Sequence, residues 1–199
     1  YDYAGVNPQN GNALWRNEEG LLTENYGEAR RINAGSPEPL WTGGFNTELS
    51  WRGISLGIQL EARYGNKVLN QDRSLFEADG SYGDSNIWKG AMNYWKKPGD
   101  TNVLPKPVYN NSSNSSAIST RYLEDGSYLR IKDITLAYSL PSKWTKKALM
   151  SGVRIYASAL NLYTFHNMNY WDPEHGTSGA TIISYPMTRS MIVGVDITF

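Results

Sequence analysis

The chain of 199 residues contains no cysteine, which excludes disulfide scaffolds, thiol catalysis and cysteine-type zinc sites together. It also has no uninterrupted apolar run near the roughly 18 residues that a membrane-spanning helix requires. Any membrane contact would therefore be made by strands. The chain also lacks an excess of positive or negative charge, because 19 basic and 19 acidic side chains give a formal net charge of zero. No overall field attracts the chain to nucleic acid.

Aromatic residues are abundant but unevenly chosen. The chain has 14 Tyr and 7 Trp against 4 Phe. Tyr and Trp combine an apolar ring with a polar group, which suits them to the boundary between a bilayer and water or to a sugar-binding surface.

Two adjacent segments alternate between apolar and polar residues with a period of two. They are Phe45 to Trp51 and Ile54 to Tyr64, and the Arg52-Gly53 pair between them has the length of a hairpin turn. Each strand then has one apolar face, and pairing the strands about the turn brings the two apolar faces onto one side of the hairpin. The predicted partners are Trp51 with Ile54, Ser50 with Ser55, Leu49 with Leu56, Thr47 with Ile58, Asn46 with Gln59, and Phe45 with Leu60.

A third strand, Ser127 to Leu140, changes the phase of its alternation near Lys132-Asp133. One explanation is a β-bulge, in which an extra residue shifts the faces by one position. The other is that Leu129 and Ile131 lie above the membrane, where the alternation no longer applies.

A fourth strand begins at Val153 and a fifth runs from Met191 to Phe199, so that short and long connections alternate along the chain. Residues 52–53 and 141–151 are short connections, whereas residues 65–126 and 164–189 are long ones. Transmembrane β-barrels of outer membranes have this asymmetry, with short periplasmic turns and long extracellular loops. Because five strands cannot close a barrel and an open edge in lipid leaves backbone groups unpaired, we expect the remaining strands to lie N-terminal to this chain.

Several segments, taken in order, resemble the C-terminal part of SusC/RagA-type TonB-dependent outer-membrane transporters. The segments that carry the resemblance are Gly126 to Pro141, Val153 to Tyr163, Asp172-Pro173-Glu174, Tyr185-Pro186 with Arg189, and Gly194 to Phe199.

The resemblance implies an all-β fold, in which about five antiparallel strands belong to a large transmembrane barrel of roughly 22 strands with long extracellular loops. The implied segments are an extracellular loop (1–42), a hairpin (43–64), a long extracellular loop (65–126), a second hairpin (127–163), a further extracellular loop (164–189) and a terminal strand (190–199).

The resemblance also implies a function in the outer membrane of a Gram-negative bacterium, namely import of oligosaccharides or peptides. The expected partners are a SusD-like surface lipoprotein, TonB acting through an N-terminal part outside this chain, the remaining barrel strands and plug, membrane lipid, and a glycan or peptide ligand. No enzyme activity, cofactor or nucleic-acid partner is expected. Three alternatives stay open: a receptor of the siderophore or cobalamin type, a soluble, aromatic-rich carbohydrate-binding β-sandwich, and an adhesin domain.

Candidate site residues lie on the polar side of the strands, which in a barrel faces the lumen and contacts a plug or a ligand. They are Gln59, Glu61, Arg63, Arg154 and Tyr156.

Metal and helical sites are weaker hypotheses. Asp172 and Glu174 could hold a cation through carboxylate oxygens, although a turn before Pro173 is the interpretation we favour. His166 and His175 belong to no metal-binding motif. The spacing of Trp88 and Trp95 predicts two turns of a short helix.

Overall fold

The fold is known from a computed structural model, which describes residues 1–82, 86–111, 113–174, 179–181, 185 and 187–199. The predictions made for His175 and Pro186 lie outside these residues. The chain divides into two compact units. One contains Tyr1–Pro37, Val68–Glu124 and Gly176–Ser184, and the other contains Glu38–Lys67, Asp125–His175 and Tyr185–Phe199.

Strands dominate the described residues and helices are few. The strands are β1 (Tyr3–Val6), β2 (Ala13–Arg16), β3 (Leu22–Thr23), β4 (Trp41–Trp51), β5 (Ile54–Tyr64), β6 (Lys67–Asn70), β7 (Leu123–Asp125), β8 (Tyr128–Ser139), β9 (Gly152–His166), β10 (Ala180–Thr181) and β11 (Ser190–Thr198). The helices are α1 (Gln71–Phe76) and α2 (Ser142–Thr145), with 3₁₀ turns at Tyr26–Glu28, Lys89–Met92, Thr120–Tyr122 and Lys146–Ala148. Among the described residues, no helix has the length and apolar character needed to cross a bilayer.

Five long strands form one antiparallel sheet in the order β11-β9-β8-β5-β4. The predicted pairing of β4 with β5 is confirmed at every position named above, from Trp51 with Ile54 to Phe45 with Leu60. Both predicted hairpins extend further than expected, since β4 of the first begins at Trp41 and β9 of the second continues to His166.

The turn between β4 and β5 has left-handed backbone at both of its residues, with φ of 48° at Arg52 and 86° at Gly53. Two positive φ angles give a turn whose twist matches the twist of the flanking strands. Gly53 is also held close to the next strand, because a Cβ atom at this position would lie 2.8 Å from the carbonyl oxygen of Ser139.

The phase change in β8 is a β-bulge at Lys132. On one side Ile131 pairs with Leu60 and Asp133 with Gln59, which leaves Lys132 without a partner residue in β5. The register toward β9 shifts at the same place. The bulge prediction is confirmed, and it keeps Ile131 on the same face of the sheet as the apolar residues that follow.

One face of this sheet is apolar from edge to edge. A single row across all five strands contains Leu49, Leu56, Leu136, Ala157 and Val193. These side chains are not covered, since Leu49 is 61% and Val193 is 78% exposed. Exposed apolar surface of this extent marks a site of contact with a membrane or with another protein.

Aromatic residues stand at both ends of the apolar face. At one end Trp41 stacks on Tyr64 with ring centroids 6.0 Å apart, and Tyr163 contacts Phe165 edge-on at 4.7 Å. At the other end lie Trp51 and Tyr138, the latter paired in register with Ile54. Aliphatic residues fill the space between, which is the pattern of the interfacial aromatic belts of membrane proteins.

The other unit has a small core around Trp15, which is fully buried with Ala13 and packed by Tyr3 and Tyr26. The three-stranded sheet β1-β2-β3 lies where the sequence predicts only a loop. Strands of two to four residues are too short for their alternation to be recognised.

Ion pairs hold the rest of this unit. The guanidinium of Arg121 donates to the carboxylate of Asp79, and both side chains are almost completely buried. Arg73 donates to Glu77 and Glu124 at 2.9 and 2.7 Å. Burial beside this network raises the pKa of Tyr3 to about 12, because desolvation disfavours the charged phenolate.

The prediction of a two-turn helix around Trp88 and Trp95 is wrong. Only Lys89–Met92 form a 3₁₀ turn, and Tyr94 instead makes a β-bridge with Leu104. The indole N–H of Trp95 donates to the carbonyl of Pro8 at 3.0 Å. Trp95 therefore makes a long-range hydrogen bond and is not part of the local helix that its spacing from Trp88 predicts.

Replacing Gly53 by Ala in the full-length protein is expected to lower the free energy of unfolding by at least about 1 kcal/mol, because Ala disfavours positive φ and its methyl group meets the Ser139 carbonyl. Gly57→Ala is the matched control, since its nearest neighbour would be 3.9 Å away. Thermal unfolding in detergent measures both variants. Equal melting temperatures would contradict the turn assignment.

Candidate functional site on the polar face of the large sheet

All five polar residues predicted from the sequence lie in the large sheet, and four of them form two groups along its strands. Glu61 and Arg63 lie near one end, in register with Arg130 and Tyr128 of β8. Tyr156 lies at the level of Ser55, six residues along β5 from Glu61, which corresponds to about 20 Å. The structure thus separates the predicted residues into two groups, and Gln59 lies between them.

The first group surrounds the carboxylate of Glu61. It accepts a hydrogen bond from the Tyr128 hydroxyl at 2.7 Å. Lys132 lies 3.1 Å and Arg63 lies 3.8 Å from the same carboxylate. Glu61 therefore has partners on its own strand β5 and on the neighbouring strand β8.

Arg130 is the centre of this group, and its side chain is completely buried. Its guanidinium donates to Thr164 at 2.8 Å, to Glu174 at 2.6 Å, and to Asp172. Lys132 donates to both carboxylate oxygens of Glu174 at 2.9 Å. We call these residues the charged cluster: Glu61, Arg63, Tyr128, Arg130, Lys132, Thr164, Asp172 and Glu174.

The charged cluster balances its charges, with three cations and three carboxylates. A buried guanidinium is costly to desolvate and is tolerated only when carboxylates surround it. Arg130 therefore fixes the segment that carries Asp172 and Glu174 against β8 and β9. Because each carboxylate of the cluster contacts a cation, the arrangement suits holding a loop better than catalysis.

The pair proposed as a cation site is part of this cluster. The Asp172 carboxylate accepts from the backbone N–H of Glu174 at 2.9 Å, which is the turn expected beside Pro173. Arg130 contacts both carboxylates and Lys132 contacts that of Glu174, so their negative charge is balanced by protein cations. Within the part of the chain that the structure describes, no group of three or more His, Asp or Glu side chains is placed to hold a metal ion.

Arg130 and Lys132 were missed by the sequence reasoning. The signal was present, because two basic residues flank Ile131 where the alternation changes phase. The alternation of apolar residues does not reveal which charged side chains form ion pairs. The partners of Arg130, Asp172 and Glu174, lie more than forty residues further along the chain.

A cleft of about 360 Å³ opens beside the charged cluster. Its rim includes Arg189, whose guanidinium lies over the Tyr163 ring at 6.0 Å from the centroid. The lining residues are Arg130, Asn161, Thr164, His166, Tyr170, Trp171, Asp172, Met187 and Arg189. Its polar lining is suited to hydrogen-bonding solutes rather than to apolar ones.

The second group is simpler. Arg154 pairs with Asp196 at 3.2 Å, and both side chains are largely exposed. Tyr156 lies across Gly194, where a Cβ atom would come within 2.4 Å of the ring. Gly194 is thus required by the position of the Tyr156 side chain.

No family model matches the chain. Curated relatives do match most of it. TonB-dependent receptor P3 of Formosa agariphila is 30% identical over 182 residues, covering 86% of this chain and 17% of the relative. TonB-dependent receptor P26 of the same organism is 27% identical over 179 residues, covering 83% of this chain and 17% of the relative.

Solved structures match the whole chain. The RagAB peptide importer in its open-open state superposes with a TM-score of 0.85 at 28% identity, and a second RagAB peptide transporter structure gives 0.84 at 29%. Each comparison covers 100% of this chain and 22% of the matched chain.

These comparisons confirm the resemblance and the fold class. The chain matches a fragment of a β-barrel transporter built from antiparallel strands, and it spans about a fifth of the length of the proteins it matches. The matched proteins are named as receptors, transporters or importers rather than as enzymes. Two segments that carried the resemblance are joined in space, because Arg130 of one contacts Asp172 and Glu174 of the other.

Arg130→Gln in the full-length protein is expected to lower the free energy of unfolding by roughly 3 kcal/mol, since it leaves two partly buried carboxylates without their main cation. Arg154→Gln removes the same charge from an exposed pair and should cost under about 1 kcal/mol. Thermal unfolding in detergent, with proteolysis of the segment after β9, distinguishes the two. Equal effects would show that the charged cluster does not hold this segment.

Proposed function

We propose, starting from the similarity of this chain to TonB-dependent receptors, that it forms part of a SusC/RagA-type outer-membrane transporter. The transporter imports oligosaccharides or peptides together with a SusD-like surface lipoprotein. The observation that carries the proposal is the match of the whole chain to RagAB at a TM-score of 0.85 and 28% identity. The matched importers carry peptides, which favours a peptide over a glycan as cargo.

The apolar face of the sheet supports a place in a membrane. Strands β4 and β5 each have 11 residues and extend about 35 Å. Tilted by about 45°, they cover an apolar band of about 25 Å, the height found in outer-membrane barrels. A soluble β-sandwich would need a second sheet over this face, whereas Leu49 and Val193 are exposed on it.

The long connections then lie outside the cell and the short ones in the periplasm. This orientation follows the usual asymmetry of outer-membrane barrels. It assigns the Arg52-Gly53 turn and residues 141–151 to the periplasmic side, and the charged cluster to the extracellular end of the wall.

Transport in this proposal uses the polar face as part of the lumen wall. A solute is captured outside under the lipoprotein lid, TonB displaces the plug, and the solute passes through the opened lumen. Gln59, Glu61, Arg63, Arg154 and Tyr156 contact the plug or the passing solute. The charged cluster keeps the wall and its loop in place while the plug moves.

Deleting the gene is expected to abolish growth on the imported peptide or oligosaccharide as sole nutrient, and deleting TonB should have the same effect because the import requires energy from the inner membrane. Growth on free amino acids or monosaccharides is the control. A defect that appears only under iron or cobalamin limitation would instead support the siderophore or cobalamin alternative.

A second test concerns the membrane face. With an environment-sensitive fluorophore attached to Val193→Cys in a background without other cysteines, brominated lipids should quench strongly, because this residue faces lipid. Asp196→Cys, three residues along the same strand, should be quenched weakly because it lies on the opposite face with Arg154. Equal quenching at the two positions would contradict the assignment of the faces.

A further inference from the structure

The connection between β8 and β9 is strongly basic and lacks acidic residues. From Leu140 to Val153 it contains Lys143, Lys146 and Lys147 and neither Asp nor Glu. It folds into α2 followed by the 3₁₀ turn Lys146–Ala148. We call residues 141–151 the lysine turn.

The three lysines share one side of this short helical segment. Their spacing of three and four residues places them on the same helical face. All three are exposed, and none makes an ion pair with any residue that the structure describes. The charged cluster is different, because each of its cations contacts a carboxylate.

Two large apolar side chains project from the same turn. Trp144 is 59% and Leu149 is 89% exposed. Leu149 also has left-handed backbone, with φ of 57°, a conformation that costs a leucine energy and that glycine adopts freely. A strained backbone that presents a leucine to the outside points to an apolar environment for that side chain.

The turn is fixed to the end of the sheet. Thr145 is buried, and its carbonyl accepts from the N–H of Met150 at 3.1 Å. The N–H of Ser151 donates to the carbonyl of Thr198 in β11 at 2.8 Å. The exposed groups are therefore held beside the end of the apolar face, where Phe199 is also exposed.

We propose that the lysine turn binds the headgroups of anionic glycerophospholipids in the periplasm-facing leaflet. Trp144 and Leu149 enter the boundary of the apolar layer, and the three lysines contact lipid phosphates. The binding surface is continuous with the lipid-facing side of the sheet, and its unpaired positive charge complements an anionic headgroup. The inference rests on the proposed function, because it requires the sheet to lie in a bilayer with short connections in the periplasm.

The test uses the full-length transporter reconstituted with phosphatidylglycerol or with uncharged phosphatidylcholine, and measures the lipid retained after purification by native mass spectrometry. The triple variant Lys143→Gln, Lys146→Gln, Lys147→Gln should bind phosphatidylglycerol roughly tenfold or more weakly, since each lysine contributes to attraction by an anionic surface. Phosphatidylcholine binding should not change. The matched control carries Lys89→Gln, Lys96→Gln and Lys97→Gln, which removes the same charge from the connection between β5 and β8.

Leu149→Gly keeps the proposal testable if the triple variant assembles poorly. Glycine relieves the left-handed strain, so folding should be at least as good as in the parent, whereas retention of phosphatidylglycerol should fall by a few-fold. A fall with the triple variant and with Leu149→Gly, but not with the control, supports the proposal.

Unchanged phosphatidylglycerol retention in the triple variant, an equal loss in the control, or selective retention of lipid A would overturn it. A protein that fails to insert into bilayers at all would instead overturn the proposed function, so the two failures are distinguishable.

Discussion

Backbone hydrogen bonding in an apolar surrounding is the constraint from which the large sheet follows. Each strand that faces lipid must give its N–H and carbonyl groups to neighbouring strands, because no water is present to accept them. The long antiparallel registers of β4, β5, β8, β9 and β11 satisfy this requirement along the interior strands. The same registers fix which side chains face outward, since a shift by one residue would exchange the two faces.

The bulge at Lys132 shows how one extra residue serves both faces. It keeps Ile131 on the apolar face and places Lys132 and Asp133 together on the polar side. There Lys132 contacts Glu61 and Glu174, and Asp133 accepts from the hydroxyls of Thr135 and Ser158 at 2.8 and 2.9 Å. The β-bulge, which interrupts the regular pairing of β8 with β5, therefore brings the Lys132 cation into the charged cluster. The cluster in turn holds the segment of Asp172 and Glu174.

The two ends of the sheet use charge in opposite ways. Within the charged cluster every cation has a carboxylate partner, and the balanced network fixes a long connection to the wall. At the other end the lysine turn has cations without acids in its own sequence. In the proposed transporter these differences would match the surroundings, because a loop above the lumen must be held by the protein itself, whereas the lysine turn would have anionic lipid as its partner.

The sequence by itself determined the strands of the large sheet, their apolar face, the β4–β5 register and the place where the alternation of β8 changes phase, because alternation with period two is a local property of side-chain order. The pairing of β8 with β5 and β9 decided that this phase change is a β-bulge. It also identified Glu61, Arg63, Arg154 and Tyr156 as residues of the polar side. Only the tertiary structure decided which of them meet: Arg130 joins Asp172 and Glu174 across more than forty residues, and Trp95 bonds to Pro8 instead of completing a helix. Such contacts depend on how distant segments are brought together, and no local pattern in the chain encodes that distance.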